Sequence, residues 1–158
     1  MKGINGFWKM SMDNSNRKIL PVRDGLWTVP QSMGEKPQLI ANKCGVCGEI
    51  LFPRKQLCPN CHHKDLQDIR LSRVGKIYSV TVVMQRPAIY YQGPVPYAFG
   101  YVELPEGVRV KALFTGCDPN MLEIGMYVEL VIEKLCKNDE GHEVLAYKFA
   151  PIKQVRES

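Results

Sequence analysis

Two cysteine pairs constrain this chain more than anything else in it: Cys44-Gly45-Val46-Cys47-Gly48 and Cys58-Pro59-Asn60-Cys61, with ten residues between Cys47 and Cys58. Two C-x2-C pairs at this separation bring four thiolates onto two hairpin knuckles, the spacing at which a protein surrounds a tetrahedral metal. Gly45 and Gly48 sit inside and just after the first knuckle, where a tight turn aims backbone N–H groups at the sulfurs. Cys44, Cys47, Cys58 and Cys61 would fill all four positions and leave none for water or substrate. The expected metal is therefore structural. A ribbon this small cannot bury enough apolar surface by itself, so the metal would supply much of its folding free energy.

Zinc is the expected ion. Iron, as in a rubredoxin-like electron carrier, is the lesser alternative, because sulfur ligands alone do not separate the two. Disulfides would need an oxidising compartment. The N-terminus, Met1-Lys2-Gly3-Ile4-Asn5-Gly6-Phe7-Trp8, carries no apolar leader, so reduced thiols and a cytoplasmic location are expected. His62 and His63 follow Cys61 directly, but four cysteines already fill the shell, and the pair reads as solvated or as neighbours of the ligands. Cys136 follows an alternating apolar stretch and reads as a half-buried packing residue. Cys117, in the turn Thr115-Gly116-Cys117-Asp118-Pro119, has no histidine base visible in the sequence.

At 158 residues and 45% hydrophobic, the chain suits one ordinary domain plus a small module. No run of apolar residues is long enough to span a bilayer, so no membrane partner is expected. The 21 Lys+Arg against 16 Asp+Glu give a formal charge of +5, which favours anionic partners without demanding nucleic acid.

Residues 1–38 mix Asn, Ser, Gly, Pro and charges around Phe7, Trp8 and Trp27, with no sustained period, and read as an extended arm. Its aromatics need a surface, on this chain or on a partner. Residues 39–70 form the ribbon, and 71–158 read as β structure. Gly75–Met84 is a long strand rich in β-branched residues, with Tyr78, Val80 and Val82 expected on one face. Tyr97–Leu104 and Val108–Thr115 pair about the turn Pro105-Glu106-Gly107, and Val108, Val110, Ala112 and Phe114 share a face. Asp118 caps a short helical segment with Pro119 at its first position and Gly125 at its end. Met126–Leu135 alternates with Val128, Leu130 and Ile132 inward, and Glu143–Phe149 completes five strands. Five strands with a helical insert between the third and fourth match the oligonucleotide/oligosaccharide-binding barrel, the OB-fold. The expected architecture is mainly β: a rubredoxin-like zinc ribbon, then a five-stranded OB-fold barrel, behind an N-terminal arm.

The order Cys44-x2-Cys47-Gly48-x3-Phe52-Pro53-x4-Cys58-Pro59-x-Cys61, then Gly75-x2-Tyr78-Ser79-x-Thr81, Pro96-Tyr97, Gly107-Val108-Arg109-Val110 and Ile124-Gly125-Met126-x-Val128, resembles the acyl-CoA-associated zinc-ribbon/OB-fold proteins, a family long known as a domain of unknown function. The resemblance covers roughly residues 39–152. It implies a non-catalytic subunit that joins a thiolase-family, aldolase or hydratase subunit in a hetero-oligomer and in some members helps to hold the acyl-CoA. One member type that the chain is similar to is the small zinc-finger subunit of a benzoylsuccinyl-CoA-type thiolase. The family's N-terminal helix with a Phe-Trp pair is matched here by Phe7-Trp8, whereas the Pro/Gly-interrupted stretch to Pro37 departs from it.

Coenzyme A carries a 3'-phosphate and a pyrophosphate, so a chain sharing its site offers Lys and Arg beside an apolar groove. Lys43, Arg54 and Lys55 around the knuckles, with Arg86, Tyr90 and Tyr91 in the long Pro/Gly loop, are the candidates. A single-stranded nucleic-acid module is the competing reading, since zinc ribbons and OB-folds both bind single strands. Tyr97-Ala98-Phe99-Gly100-Tyr101-Val102-Glu103 carries few cations, however, and Arg109 and Lys111 are the only basic pair opposite. No catalytic residue is assigned.

Overall fold

The computed structural model describes residues 18–87 and 92–153. Among the described residues nine strands make two sheets. The first strand, β1 (Ile19–Pro21), is followed by the ribbon strands β2 (Ile40–Cys44), β3 (Ile50–Leu51) and β4 (Leu66–Arg70), which form an antiparallel sheet in the order β3-β2-β4. The barrel strands are β5 (Val74–Val83), β6 (Tyr97–Glu103), β7 (Arg109–Phe114), β8 (Tyr127–Lys137) and β9 (Glu143–Pro151). They run in the order β9-β7-β6-β5-β8, and β8 pairs again with β9, which closes the sheet on itself. The β7–β9 pairing is parallel and every other barrel pairing is antiparallel. β7 pairs with β9 only at Lys148 and Phe149, and β1 pairs in parallel with Glu143–Leu145 on the stretch of that edge that β7 leaves open.

Strands β7 and β8 follow their alternation. Val110, Ala112 and Phe114 of β7 and Val128 and Leu130 of β8 are buried, and Val108 and Ile132 pack against the same core. The β6–β7 turn lies where Pro105-Glu106-Gly107 places it: the Gly107 N–H donates to Leu104 O at 2.9 Å, and Gly107 has a φ of 86°. The Asp118 carboxylate accepts from the Asn120 N–H, but the helix it caps is one 3-10 turn, Pro119–Met121. Gly125 does not end that turn; its N–H donates to Ile77 O and ties the segment to β5.

One face assignment is corrected. Val80 and Val82 pack against the core, but Tyr78 is exposed on the outside of the barrel. The β5–β6 register shifts between Ile77 and Ser79, and an extra residue in one strand reverses the faces beyond it. Before the bulge Gly75 and Ile77 point inward; after it Val80 and Val82 do.

Ribbon and barrel share one apolar cluster, in which Leu39, Ala41 and Leu71 pack with Ile77, Val102, Val110 and Phe149. Leu26 and Trp27 of the N-terminal stretch enter it too, with Trp27 bridged to Leu39. Trp27 therefore finds its surface on its own chain, whereas Phe7 and Trp8 lie outside the described residues. Polar groups fix the junction. The Ser72 N–H and hydroxyl both donate to Glu106 Oε1 at 2.7 Å, and the Arg73 guanidinium donates to Leu130 O at 2.7 Å and to Pro37 O.

Candidate metal centre and adjoining cleft

The four cysteines converge. Cys44 ends β2 and the other three lie in the turns beyond it, yet the sulfurs of Cys44, Cys47, Cys58 and Cys61 all lie within 4.8 Å of one another. The Cys44–Cys61 and Cys47–Cys58 sulfurs are 3.5 Å apart, too far for a disulfide bond of about 2.05 Å. Four sulfurs on a zinc ion at about 2.3 Å stand roughly 3.8 Å apart, so the cluster has the size of a tetrahedral tetrathiolate. Cys44 and Cys58 are buried and Cys47 is exposed.

The knuckles repeat one backbone device. In the first, the Cys44 N–H donates to Glu49 O and the Gly48 N–H to Cys44 O; in the second, the Cys58 N–H donates to His63 O and the His62 N–H to Cys58 O. Gly48 has a φ of 77° and His62 a φ of 62°, so the histidine occupies the left-handed position that glycine fills in its twin. His62 is thus a turn residue, a role that residue type alone does not disclose. Gly45 needs no left-handed backbone. A Cβ there would stand 2.3 Å from Asp65 Oδ2, and the Gly45 N–H donates to Asp65 O.

The same symmetry reaches the sulfurs. The backbone N–H of Glu49, and then the Asn60 side chain, hydrogen-bond the Cys47 sulfur and lower its pKa to about 6. At Cys61 the His63 N–H pulls in the same direction, but desolvation and the Cys44, Cys47 and Cys58 sulfurs outweigh it and push the thiol up to about 12. Four sulfurs this close cannot all ionise beside one another. A divalent cation among them removes the conflict, and the two N–H donors stabilise the thiolates that bind it.

Beside the ribbon is a cleft of about 570 Å³ whose lining includes Arg23, Arg54, Lys55 and Lys64 against Asp24 and Asp68. Asn42, a polar side chain buried in the core, holds its floor: Nδ2 donates to Lys55 O at 2.8 Å and Oδ1 accepts from the Lys55 N–H. Arg54 pairs with Asp68 at 2.5 Å and donates to Gly25 O. Gly25, with a φ of 73°, leaves room for that guanidinium, whose Nη2 would stand 2.4 Å from an added Cβ. Of the six coenzyme A candidates, Arg54 and Lys55 thus lie together. Lys43 is exposed on β2 and does not line the cleft, and Arg86 is exposed beyond β5. Tyr90 and Tyr91 fall outside the described residues. Arg23, Lys64 and Asn42 join through space, and no local pattern announces them.

On the outer barrel face, Arg109 stacks 3.7 Å from the Tyr78 ring centroid and Lys111 Nζ lies 5.3 Å from that of Phe99. Glu103 stands across from both Lys76 and Arg109, which places an acid between the cations. Cys117 is held above the ordinary thiol range by burial and then by Asp118, the reverse of what activates a nucleophile.

A scaffold protein with a DUF35 domain from Methanocaldococcus jannaschii is 36% identical over 120 residues, 75% of this chain and 84% of that protein. The chain belongs to the DUF35 family. The profile of the ChsH2 C-terminal OB-fold domain matches residues 68–133 of this DUF35 protein. It is also 34% identical over 119 residues to the benzoylsuccinyl-CoA thiolase subunit BbsA of Thauera aromatica, 75% of this chain and 80% of that subunit. Among solved structures, the Ltp2-ChsH2(DUF35) aldolase aligns with a TM-score of 0.58 at 28% identity, over 72% of this chain and 84% of that one. Among the described residues no helix is long and apolar enough to cross a membrane.

Proposed function

We propose that this chain is a non-catalytic accessory subunit of an acyl-CoA-processing enzyme complex, with a thiolase-type partner, and that its four cysteines hold a structural zinc ion. The observation that carries the reading is the similarity to BbsA, a thiolase subunit, over 80% of that subunit's length. The aldolase structure supports it, because there too a DUF35 chain is named with an enzyme. The zinc assignment is supported by a closed four-sulfur cluster that leaves no position for substrate. Such a metal locks the two knuckles of the ribbon together and performs no chemistry.

Within this reading the cationic cleft takes the phosphates of coenzyme A. Arg54, held by Asp68 and the Gly25 carbonyl, turns its remaining N–H groups to the phosphate oxygens, and Arg23, Lys55 and Lys64 add charge around it. The Asn42 clamp fixes the Lys55 backbone and so the shape of the binding edge. The partner would contribute the reacting groups. Purification of the tagged protein from its native cells tests the assignment, and a thiolase-family subunit in fixed ratio is the expected result. A chain that purifies alone, or with salt-sensitive single-stranded nucleic acid, overturns it.

A further inference from the structure

A second depression opens on the barrel. It measures about 440 Å³, and its lining includes Phe99, Leu113, Leu135, Ala146 and Tyr147. The Tyr147 hydroxyl donates to Lys111 O at 2.9 Å, so the one polar atom of that side chain is already engaged in bridging β9 to β7. Lys111 lines the groove as well, exposed, with Nζ 5.3 Å from the Phe99 ring centroid. The result is a strip of aromatic and aliphatic carbon with one ammonium beside it, the kind of surface on which another segment packs.

Its place in the fold indicates which segment. Ala146 and Tyr147 lie on β9 between the residues that pair with β1, which end at Leu145, and those that pair with β7, which begin at Lys148. β1 therefore delivers the N-terminal stretch to this edge: the Glu143 N–H donates to Lys18 O at 3.1 Å, and Tyr147 stands four positions further along β9, about 13 Å away at the rise of a strand. Trp8 precedes Lys18 by ten residues, which span up to ~33 Å when extended, so the chain reaches the groove with slack. Ile4, Phe7 and Trp8 stand at i, i+3 and i+4, the anchor spacing with which a segment lays apolar side chains into a groove. The tether also keeps them at millimolar effective concentration, so even a weak contact is occupied. We propose that the groove is the docking site of this chain's own N-terminal segment, with Phe7 and Trp8 against Leu113, Leu135 and Tyr147 and the indole face beside the Lys111 ammonium. The inference concerns a surface that the coenzyme A reading does not use.

Acrylamide quenching of tryptophan fluorescence in the full chain tests this. The chain has two tryptophans, Trp8 and Trp27, and Trp27 is buried in the core. Trp8→Phe supplies the quenching of Trp27 alone, and the difference from the unsubstituted protein reads Trp8. The expected result is a Trp8 protected nearly as well as Trp27. Leu113→Asp and Leu135→Gln, which make the groove polar, should turn Trp8 into a fully quenchable ring while Trp27 stays protected. Phe7→Ala removes an anchor without touching the barrel and should release Trp8 in the same way, which keeps the test decisive should a groove variant fold poorly by circular dichroism. A Trp8 that is freely quenched in the unsubstituted protein, or one whose protection survives the groove variants and Phe7→Ala, overturns the proposal. Protection that disappears on dilution means that a second copy supplies the segment, and overturns docking within one chain.

Discussion

Replacing Gly100 by alanine tests the account of the barrel most severely. Gly100 is buried in the middle of β6, between Val80 of β5 and Ala112 of β7. An added Cβ would stand 1.9 Å from Ser79 O, 2.7 Å from Ser79 C and 3.0 Å from Val80 Cα. All three are backbone atoms, so no side-chain rotation relieves the contact. Ordinary contact begins near 3.4 Å, so β5 must move by about 1.5 Å from a partner normally about 4.8 Å away. That displacement breaks local ladder hydrogen bonds worth about 1 kcal/mol each and adds overpacking of about 1–3 kcal/mol. The expected loss is about 3–5 kcal/mol, a large share of the roughly 5–15 kcal/mol that stabilises a domain.

Urea unfolding followed by tyrosine and tryptophan fluorescence measures it, with Thr81→Ser on the exposed face of β5 as a control expected to stay within about 0.5 kcal/mol. The close approach exists because the β5 bulge drives the Ser79 backbone toward β6, and the same bulge turns Tyr78 outward beneath Arg109. Gly100→Ala should therefore also disturb the Tyr78 ring signals in NMR spectra. A variant as stable as the unsubstituted protein would mean that the bulge is not where the register places it, and the reasoning about Tyr78 would fall with it.

The metal reading has a direct consequence. Purified protein should carry one equivalent of zinc and lack the visible absorption of an iron tetrathiolate, and chelation that costs ~4 kcal/mol would lower Tm by roughly 8–16 °C at this size. Cys47→Ser should lose zinc to a competing chelator faster than the unsubstituted protein does; full retention would remove Cys47 from the ligand set. At Cys117, burial and Asp118 raise the thiol pKa, so less thiolate is present at any pH below that raised value, and its alkylation by iodoacetamide at pH 8 should run slower than that of a cysteine peptide. Asp118→Asn should quicken the reaction, and an unchanged rate would show that the neighbouring carboxylate contributes nothing.

The barrel and the clasp were legible because each repeats a local rule. Alternation marks Val110, Ala112 and Phe114 or Val128 and Leu130 as inward without knowledge of any partner strand, and C-x2-C spacing places two sulfurs on one turn. What escaped depends on atoms distant in sequence. The inversion at Tyr78 follows from a bulge on β5 seated against a glycine of β6, and its only local trace is an isolated Gly100 inside an apolar strand, a pattern that signals close backbone approach. His62 escaped for a related reason: its left-handed φ becomes visible only when the second knuckle is laid over the first and Gly48 falls on the same position. The short strands β1 and β4 have too few residues to show a period. Each forms because a neighbour offers it a ladder, β9 for the first and β2 for the second.

The cleft was half legible, for an electrostatic reason. Arg54 and Lys55 stand out beside the knuckles, but a pair of surface cations is ordinary until other charges are placed around it. Arg23 comes from the N-terminal stretch, Lys64 from the far side of the second knuckle, and Asn42 from the middle of β2; the fold of the ribbon brings them together. That fold depends on the clasp, since β2 ends at Cys44 and β4 begins five residues after Cys61. The four sulfurs and the cationic cleft are therefore coupled through the backbone: a change that loosens the sulfurs frees the segments that carry Asn42, Lys55 and Lys64. A metal held by these sulfurs would act on the proposed ligand binding without touching the ligand, by holding the cations at one spacing.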